Sequence, residues 1–127
     1  MIDHISIPVN DLKLSGAFYT KVLKTLGFSL LVQRESTYGY GKQYPEFWLN
    51  ARVEMASLPE DSGFHFCLRC KAKDAVDAFY NIALSEGGKD AGAPGKRQGA
   101  MTEYYGAFIL DLDGHKIEAV CFPKTTE

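Results

Sequence analysis

Hydrophobic and polar positions along the chain switch period repeatedly, and the switches mark the elements. Met1 to Val9 alternates, with Ile5, Ile7 and Val9 on one face and His4 and Ser6 on the other, which predicts a half-buried strand. Asp11 then offers an N-cap. Leu14, Phe18, Val22 and Leu26 follow at helical spacing until Gly27, a residue suited to a C-cap, so a helix is predicted over 12–26. Phe28 to Gln33, Thr37 to Gly41 and Glu46 to Asn50 read as three further strands, the last preceded by Pro45. The polar, turn-prone run Leu58-Pro59-Glu60-Asp61-Ser62-Gly63 separates this half from the next.

The second half starts the pattern again. Phe64, Phe66 and Leu68 alternate with His65, Cys67 and Arg69, and a helix is predicted from Asp74, a candidate cap, through Val76, Phe79, Ala83 and Leu84 to Ser85. The stretch from Gly87 to Gly99 is rich in Gly and Pro and reads as a loop. Tyr104 to Asp111 and Lys116 to Phe122 read as strands around the Asp113-Gly114 turn, and His115 reads as an exposed loop residue. His4 and His65, Ala17-Phe18-Tyr19 and Ala78-Phe79-Tyr80, and Gly27 and Gly88 share one offset, which indicates an internal duplication.

The expected architecture is therefore α+β: two βαβββ modules, about 1–58 and 63–123, in one domain over 1–127. They would form a curved, mixed eight-stranded sheet with the helices on its convex face. A chain of 127 residues, 46% hydrophobic with eight Phe and seven Tyr, can bury such a core.

Charge narrows the partners. A formal net charge of −2 and no basic run longer than Lys96-Arg97 argue against nucleic acid. Neither a signal peptide nor a membrane span is legible near the N-terminus, so a cytoplasmic location is expected. Three cysteines favour reduced thiols. Cys67 and Cys70, three apart in a strand, point to opposite faces and make a poor metal pair.

His4 and His65 take equivalent places in the two copies, each opposite the apolar positions, and so would look into one cavity if the copies pair. Glu118, in the middle of the last apolar strand, must be exposed, paired or metal-bound. Any one of these residues alone would be an ordinary strand residue. Together they give two imidazoles and a carboxylate, a set that suits an open-sided Fe, Mn, Ni or Zn site. Trp48, Arg69, Arg97, Tyr104 and Tyr105 are candidates for contact with a small-molecule substrate, their alternatives being packing or solvated loop.

The duplicated pattern, with Ile2-Asp3-His4-Ile5, Phe18-Tyr19, Leu26-Gly27, His65 and the closing run Asp111-Leu112-Asp113-Gly114-His115-Lys116-Ile117-Glu118, resembles the vicinal oxygen chelate superfamily. That group includes glyoxalase I, fosfomycin- and bleomycin-resistance proteins, methylmalonyl-CoA epimerase and extradiol dioxygenases. The runs Gly92-Ala93-Pro94-Gly95-Lys96-Arg97 and Tyr104-Tyr105-Gly106-Ala107-Phe108 resemble a subgroup of small single-domain members without a defined activity.

The resemblance implies metal ligands at His4, His65 and Glu118, with Glu118 also in a catalytic role, and a homodimer of paired modules. The fourth ligand position falls near Trp48. An indole there weakens the likeness to glyoxalase I, unless Glu46, two residues earlier, supplies the carboxylate. The function implied is a metal-dependent lyase, isomerase or dioxygenase acting on a small oxygen-chelating substrate. The alternative is a metal-free binding protein of the bleomycin-resistance type, with aromatic walls such as Trp48, Tyr104 and Tyr105.

Overall fold

The computed structural model describes residues 1–123. It divides after Ser57 into two compact units, Met1–Ser57 and one beginning at Leu58.

In the first unit, β1 (Ile5–Val9) leads into α1 (Leu12–Lys24), followed by β2 (Ser29–Gln33), β3 (Thr37–Gly41) and β4 (Pro45–Ala51). The strands lie in the order β1-β4-β3-β2, with β1 parallel to β4 and the other pairs antiparallel. Asp11 caps α1 as expected, its Oδ1 accepting the Leu14 N–H at 3.0 Å. The helix ends at Lys24, two residues before the predicted end. Gly27, at φ 91°, turns the chain so that the Phe28 N–H reaches the Leu23 carbonyl at 3.0 Å.

Phe18, Tyr19, Val22 and Leu23 on α1 meet Ile7, Val9, Phe47 and Leu49 from the sheet, all of them nearly or fully buried. Each such side chain contributes roughly 1.5–3 kcal/mol on leaving water. The other face of β4 carries Trp48 and Asn50, which remain partly exposed. Tyr40 is buried too, and its hydroxyl donates to the Gly16 carbonyl at 3.0 Å while sharing a 3.1 Å bond with the Thr20 hydroxyl.

The second unit repeats the plan: β5 (Phe66–Arg69), α2 (Lys73–Ser85), β6 (Lys89–Gln98), β7 (Glu103–Leu110) and β8 (Lys116–Cys121), in the order β5-β8-β7-β6. Again the outer pair β5 and β8 is parallel. The eight strands thus form two mixed sheets of four, one per βαβββ module. Val76, Phe79 and Ala83 of α2 are buried with Ala107, Ile109, Ile117 and Ala119 of the sheet.

Ala72, not Asp74, is the N-cap of α2. Its extended backbone starts the helix without a side-chain bond, and Asp74 lies in the first turn, where its charge favours the helix dipole.

The Gly/Pro-rich stretch is a strand of ten residues, β6, rather than a loop. It pairs with β7 through register shifts between Asp90 and Gly92 and between Gly92 and Gly95. Pro94 falls inside the second shift, where its missing N–H leaves no ladder bond broken.

The left-handed glycine that ends α2 is Gly87, at φ 105°, so it matches Gly27 at one residue less than the offset of Gly88. The first helix has an additional residue, Leu26, in its terminal turn.

His115 is buried at 8% exposure instead of facing solvent. The Asp111 carboxylate accepts the N–H groups of Asp113 (2.9 Å) and His115 (2.8 Å), which folds the five residues between β7 and β8 inward.

Among the described residues, no helix is long and apolar enough to cross a membrane.

Candidate functional site

In each unit one sheet face packs on its helix, which leaves the other face to carry polar side chains. On the second sheet, cross-strand register aligns Gly92 (β6), Phe108 (β7), Glu118 (β8) and Cys67 (β5) in one row on that open face. His65 precedes β5 immediately and shares the parity of Cys67 and Arg69.

Glu118 is 4% exposed, unusually little for a carboxylate. His65 Nε2 lies 3.2 Å from its Oε1, while Oε2 is buried with no hydrogen-bond partner among the described residues. An acceptor left without a close hydrogen bond on a buried anion costs about 1–3 kcal/mol or more, and the candidates to complement it are the neighbouring Tyr104 hydroxyl and Cys67 thiol or a group from outside the polypeptide.

Two neighbours sense this carboxylate. Burial first, then Glu118, push the Cys67 thiol up to about 12. Cys67 as a whole residue remains exposed. Burial and then Glu118 also raise the Tyr104 hydroxyl, against a smaller lowering by Arg97. Tyr104 therefore stays protonated and can donate a hydrogen bond throughout the neutral range.

Arg97 pairs with Tyr104 in the β6–β7 register and folds back over Gly92. Its Nη2 donates to the Ala93 carbonyl at 2.6 Å and its Cζ stands 5.5 Å from the Phe108 ring centre. A Cβ on Gly92 would come within 3.2 Å of that Nη2 and 3.1 Å of Phe108 Cδ1, so glycine is what leaves the guanidinium its seat. Arg97 Nε is buried and, like Glu118 Oε2, has no hydrogen-bond partner among the described residues. Lys116 Nζ lies 5.0 Å over the same Phe108 ring, and the His65 ring meets it edge-on at 5.4 Å. Arg69 stacks over Phe122 at 4.5 Å.

Tyr105 takes the other side of β7. Its hydroxyl donates to Asp77 Oδ1 of α2 at 2.6 Å, a packing role rather than a place among these residues.

The first unit holds His4 and Trp48. His4 directly precedes β1, as His65 precedes β5, and its Nδ1 lies 2.7 Å from Asp3 Oδ1. With Nδ1 as the donor in this contact, Nε2 is the nitrogen left to face a ligand. Trp48 pairs with Ser6 across β4 and β1 as Glu118 pairs with Cys67 across β8 and β5, so Trp48 is the first-module counterpart of Glu118. Glu46 matches Lys116 instead.

The indole lies over Gly39, whose added Cβ would sit 2.8 Å from Trp48 Cζ3, and Arg34 Cζ stands 5.7 Å from the ring. Gly39 in turn is the counterpart of Phe108. In the first module, then, the aromatic ring above the third strand comes from Trp48. In the second, Phe108 supplies it and Glu118 takes the vacated place. His4, Ser6, Arg34, Thr37, Trp48 and Asn50 line a recess of about 380 Å³ in the first unit.

His65 and Glu118 are thus brought together on the second sheet with Arg97 and Tyr104 on the same face. Cys67, Phe108, Gly92 and Lys116 also belong to this neighbourhood and escaped the sequence reading, although Cys67 shares the parity of His65 and Lys116 that of Glu118. The geometry suits a divalent cation in part. Two donors each about 2.0–2.2 Å from one ion stand about 3 Å apart, as His65 Nε2 and Glu118 Oε1 do. Among the described residues, no group of three or more His, Cys, Asp or Glu is gathered for such an ion.

Comparison with known proteins agrees with the repeated fold. A glyoxalase/bleomycin resistance protein from Albidiferax ferrireducens is 30% identical, with 94% of this chain and 97% of that one aligned at a TM-score of 0.83. A hypothetical protein of S. aureus, SA1046, is 24% identical over 93% and 91% of the two chains, with a TM-score of 0.71. A glyoxalase/bleomycin resistance protein/dioxygenase family enzyme from Burkholderia phytofirmans shares the fold at 18% identity, over 96% and 98%, with a TM-score of 0.71. No protein of curated function matches. The family profile covers residues 1–119, and the chain belongs to the Glyoxalase/Bleomycin resistance protein/Dioxygenase superfamily.

Proposed function

We propose that this protein is a cytoplasmic, divalent-metal-dependent enzyme acting on a small substrate with two adjacent oxygen atoms, as a lyase, isomerase or dioxygenase. The observation that carries the reading is Glu118: a carboxylate 4% exposed, beside His65 and with an orphaned Oε2, in a place where an apolar residue would cost less. His65 and Glu118 would hold an Fe, Mn, Ni or Zn ion. His4, related to His65 by the duplication and in contact with Asp3, is the third proposed ligand.

The ion would supply Lewis acidity toward the substrate oxygens. The chain's own residues do the rest. Tyr104 donates a hydrogen bond from a hydroxyl that stays protonated, Phe108 walls the site against water, and Glu118 holds or accepts a proton when it is not shared with a ligand.

Metal analysis of untagged protein tests the reading. About one divalent ion per chain is expected, lost in His65→Ala and in Glu118→Ala with the far-UV circular dichroism unchanged. Unchanged metal content in both folded variants would rule these ligands out. Light scattering should give twice 14.1 kDa.

A metal-free binding protein is the second reading. It is favoured by the Trp48 platform with Arg34 stacked on it, which would suit a planar ligand.

A further inference from the structure

We propose that the open face of the second sheet recognises a carboxylate, with Arg97 as the residue that binds it, so that the substrate class is a small 2-oxo or 2-hydroxy acid. This deepens the metal-enzyme reading and rests on it for the second, reacting oxygen. The anion seat itself stands on separate observations.

The first observation is charge. Arg97 and Lys116 converge on the Phe108 ring, at 5.5 and 5.0 Å, His65 touches its edge, and Arg69 projects from the same side of β5. Glu118 is the carboxylate set among them. The excess of cations beside the aromatic ring attracts an anion to this side of the face, while the Glu118 carboxylate with His65 remains the place for a metal ion.

The second observation is that the Arg97 guanidinium is held in place rather than waving in solvent. The Ala93 carbonyl takes Nη2 at 2.6 Å, Phe108 flanks the plane, and Gly92 provides the floor that any Cβ would obstruct. An arginine fixed in this way loses little freedom on binding and presents a planar fork suited to a carboxylate.

The third is a pair of complementary orphans. Arg97 Nε is a buried donor without an acceptor, and Glu118 Oε2 is a buried acceptor that makes no close hydrogen bond among the described residues although Tyr104 and Cys67 stand near the carboxylate, on the same sheet face. A 2-hydroxy or hydrated 2-oxo acid supplies what both lack, an anionic oxygen at one end and a hydroxyl at the adjacent carbon. Tyr104, paired with Arg97 in register and influenced by both Arg97 and Glu118, is placed to donate to an oxygen between them.

The test uses the full chain, stripped of metal by a chelator that is then dialysed away, and labelled with nitrogen-15 in arginine. The Arg97 Nε–H resonance is followed while pyruvate, methyl pyruvate or sulfate is added. Pyruvate should shift the signal saturably. Methyl pyruvate, which lacks the charge, should not, and sulfate should compete poorly. Arg97→Met should bind pyruvate at least about tenfold more weakly, the loss expected for a charge-assisted hydrogen bond. Arg97→Lys should also bind more weakly, because an ammonium cannot reproduce the fork.

The proposal is overturned if folded Arg97→Met binds pyruvate as tightly as the parent, if the ester shifts the signal equally, or if sulfate binds as well as pyruvate. Should Arg97→Met not fold, absence of a pyruvate-induced shift in the parent overturns it alone. Metal uptake without acid binding refutes the anion seat and leaves the metal centre standing. Acid binding without metal uptake does the reverse.

Discussion

Replacing Glu118 with leucine should make the metal-free protein more stable while abolishing its response to metal. Glu118 is 4% exposed in the middle of β8, and its Oε2 has no hydrogen-bond partner among the described residues. Removing a buried polar group left in that state recovers about 1–3 kcal/mol, and a leucine of similar volume adds apolar burial to it. The histidine left behind does not cancel the gain, since the His65 side chain is 43% exposed and can be hydrated. For a chain of this length 1 kcal/mol moves the melting temperature by roughly 3–5 °C, so a rise of roughly 3–15 °C is expected. Metal should stabilise only the parent. The parent should gain about 2.7 kcal/mol at a free metal concentration 100 times its dissociation constant, and Glu118→Leu should gain nothing. Scanning calorimetry of both proteins, with chelator and with added Zn or Mn, measures all four values. A metal-free Glu118→Leu protein less stable than the parent, or one that metal stabilises equally, would refute the reasoning.

Cys67 should resist thiol reagents at pH 8 despite its exposure, because a thiol pushed up to about 12 is almost wholly protonated there. Dithionitrobenzoate should label it far more slowly than an unfolded control and faster again in Glu118→Gln. Fast labelling in the parent would show that the thiol does not feel the carboxylate. Burial raises the Tyr40 hydroxyl in the folded state. A folded pKa above the unfolded one gives stability that is complete below about pH 10 and is lost as pH rises beyond it, so Tyr40→Phe should unfold less steeply in alkali. Gly39→Ala should push the indole off its seat at a cost of about 1–3 kcal/mol and red-shift the fluorescence of Trp48, the chain's one tryptophan. Turnover of the methylglyoxal–glutathione adduct should be negligible with metal supplied, because Trp48 cannot ligate or act as a base. Efficient turnover lost in Glu46→Gln would place the carboxylate two residues earlier.

The elements that the sequence disclosed are those whose period is set by one buried face. Phe18 and Val22 on α1, Phe79 and Ala83 on α2, and Phe47 and Leu49 on β4 repeat at spacings that only helix or strand burial explains. Strand β6 was hidden because it sits at the sheet edge, where bulges at Gly92 and Gly95 accommodate Pro94 and erase the alternation. The burial of His115 was illegible for a different reason: it follows from the Asp111 carboxylate, a side-chain to backbone closure with no periodic signature. At the candidate site, Glu118 stood out as a carboxylate in an apolar strand and His65 as the partner of His4 in the repeat. Cys67 and Phe108 reach Glu118 only through the strand order β5-β8-β7, in which β8 lies between two strands distant from each other in sequence.

The exchanged ring above the third strand of each module limits how either module can change. Gly39 and Trp48 fit each other, as do Phe108 and Glu118. Converting the first arrangement to the second takes two substitutions. Gly39→Phe alone would place two rings in one space, and Trp48→Glu alone would bare the backbone at Gly39 with nothing to cover it. Each intermediate is less fit to fold than either end, so the two halves of this duplicated chain sit in separate evolutionary valleys. A mutational path that restores their symmetry has to cross the ridge in a paired step.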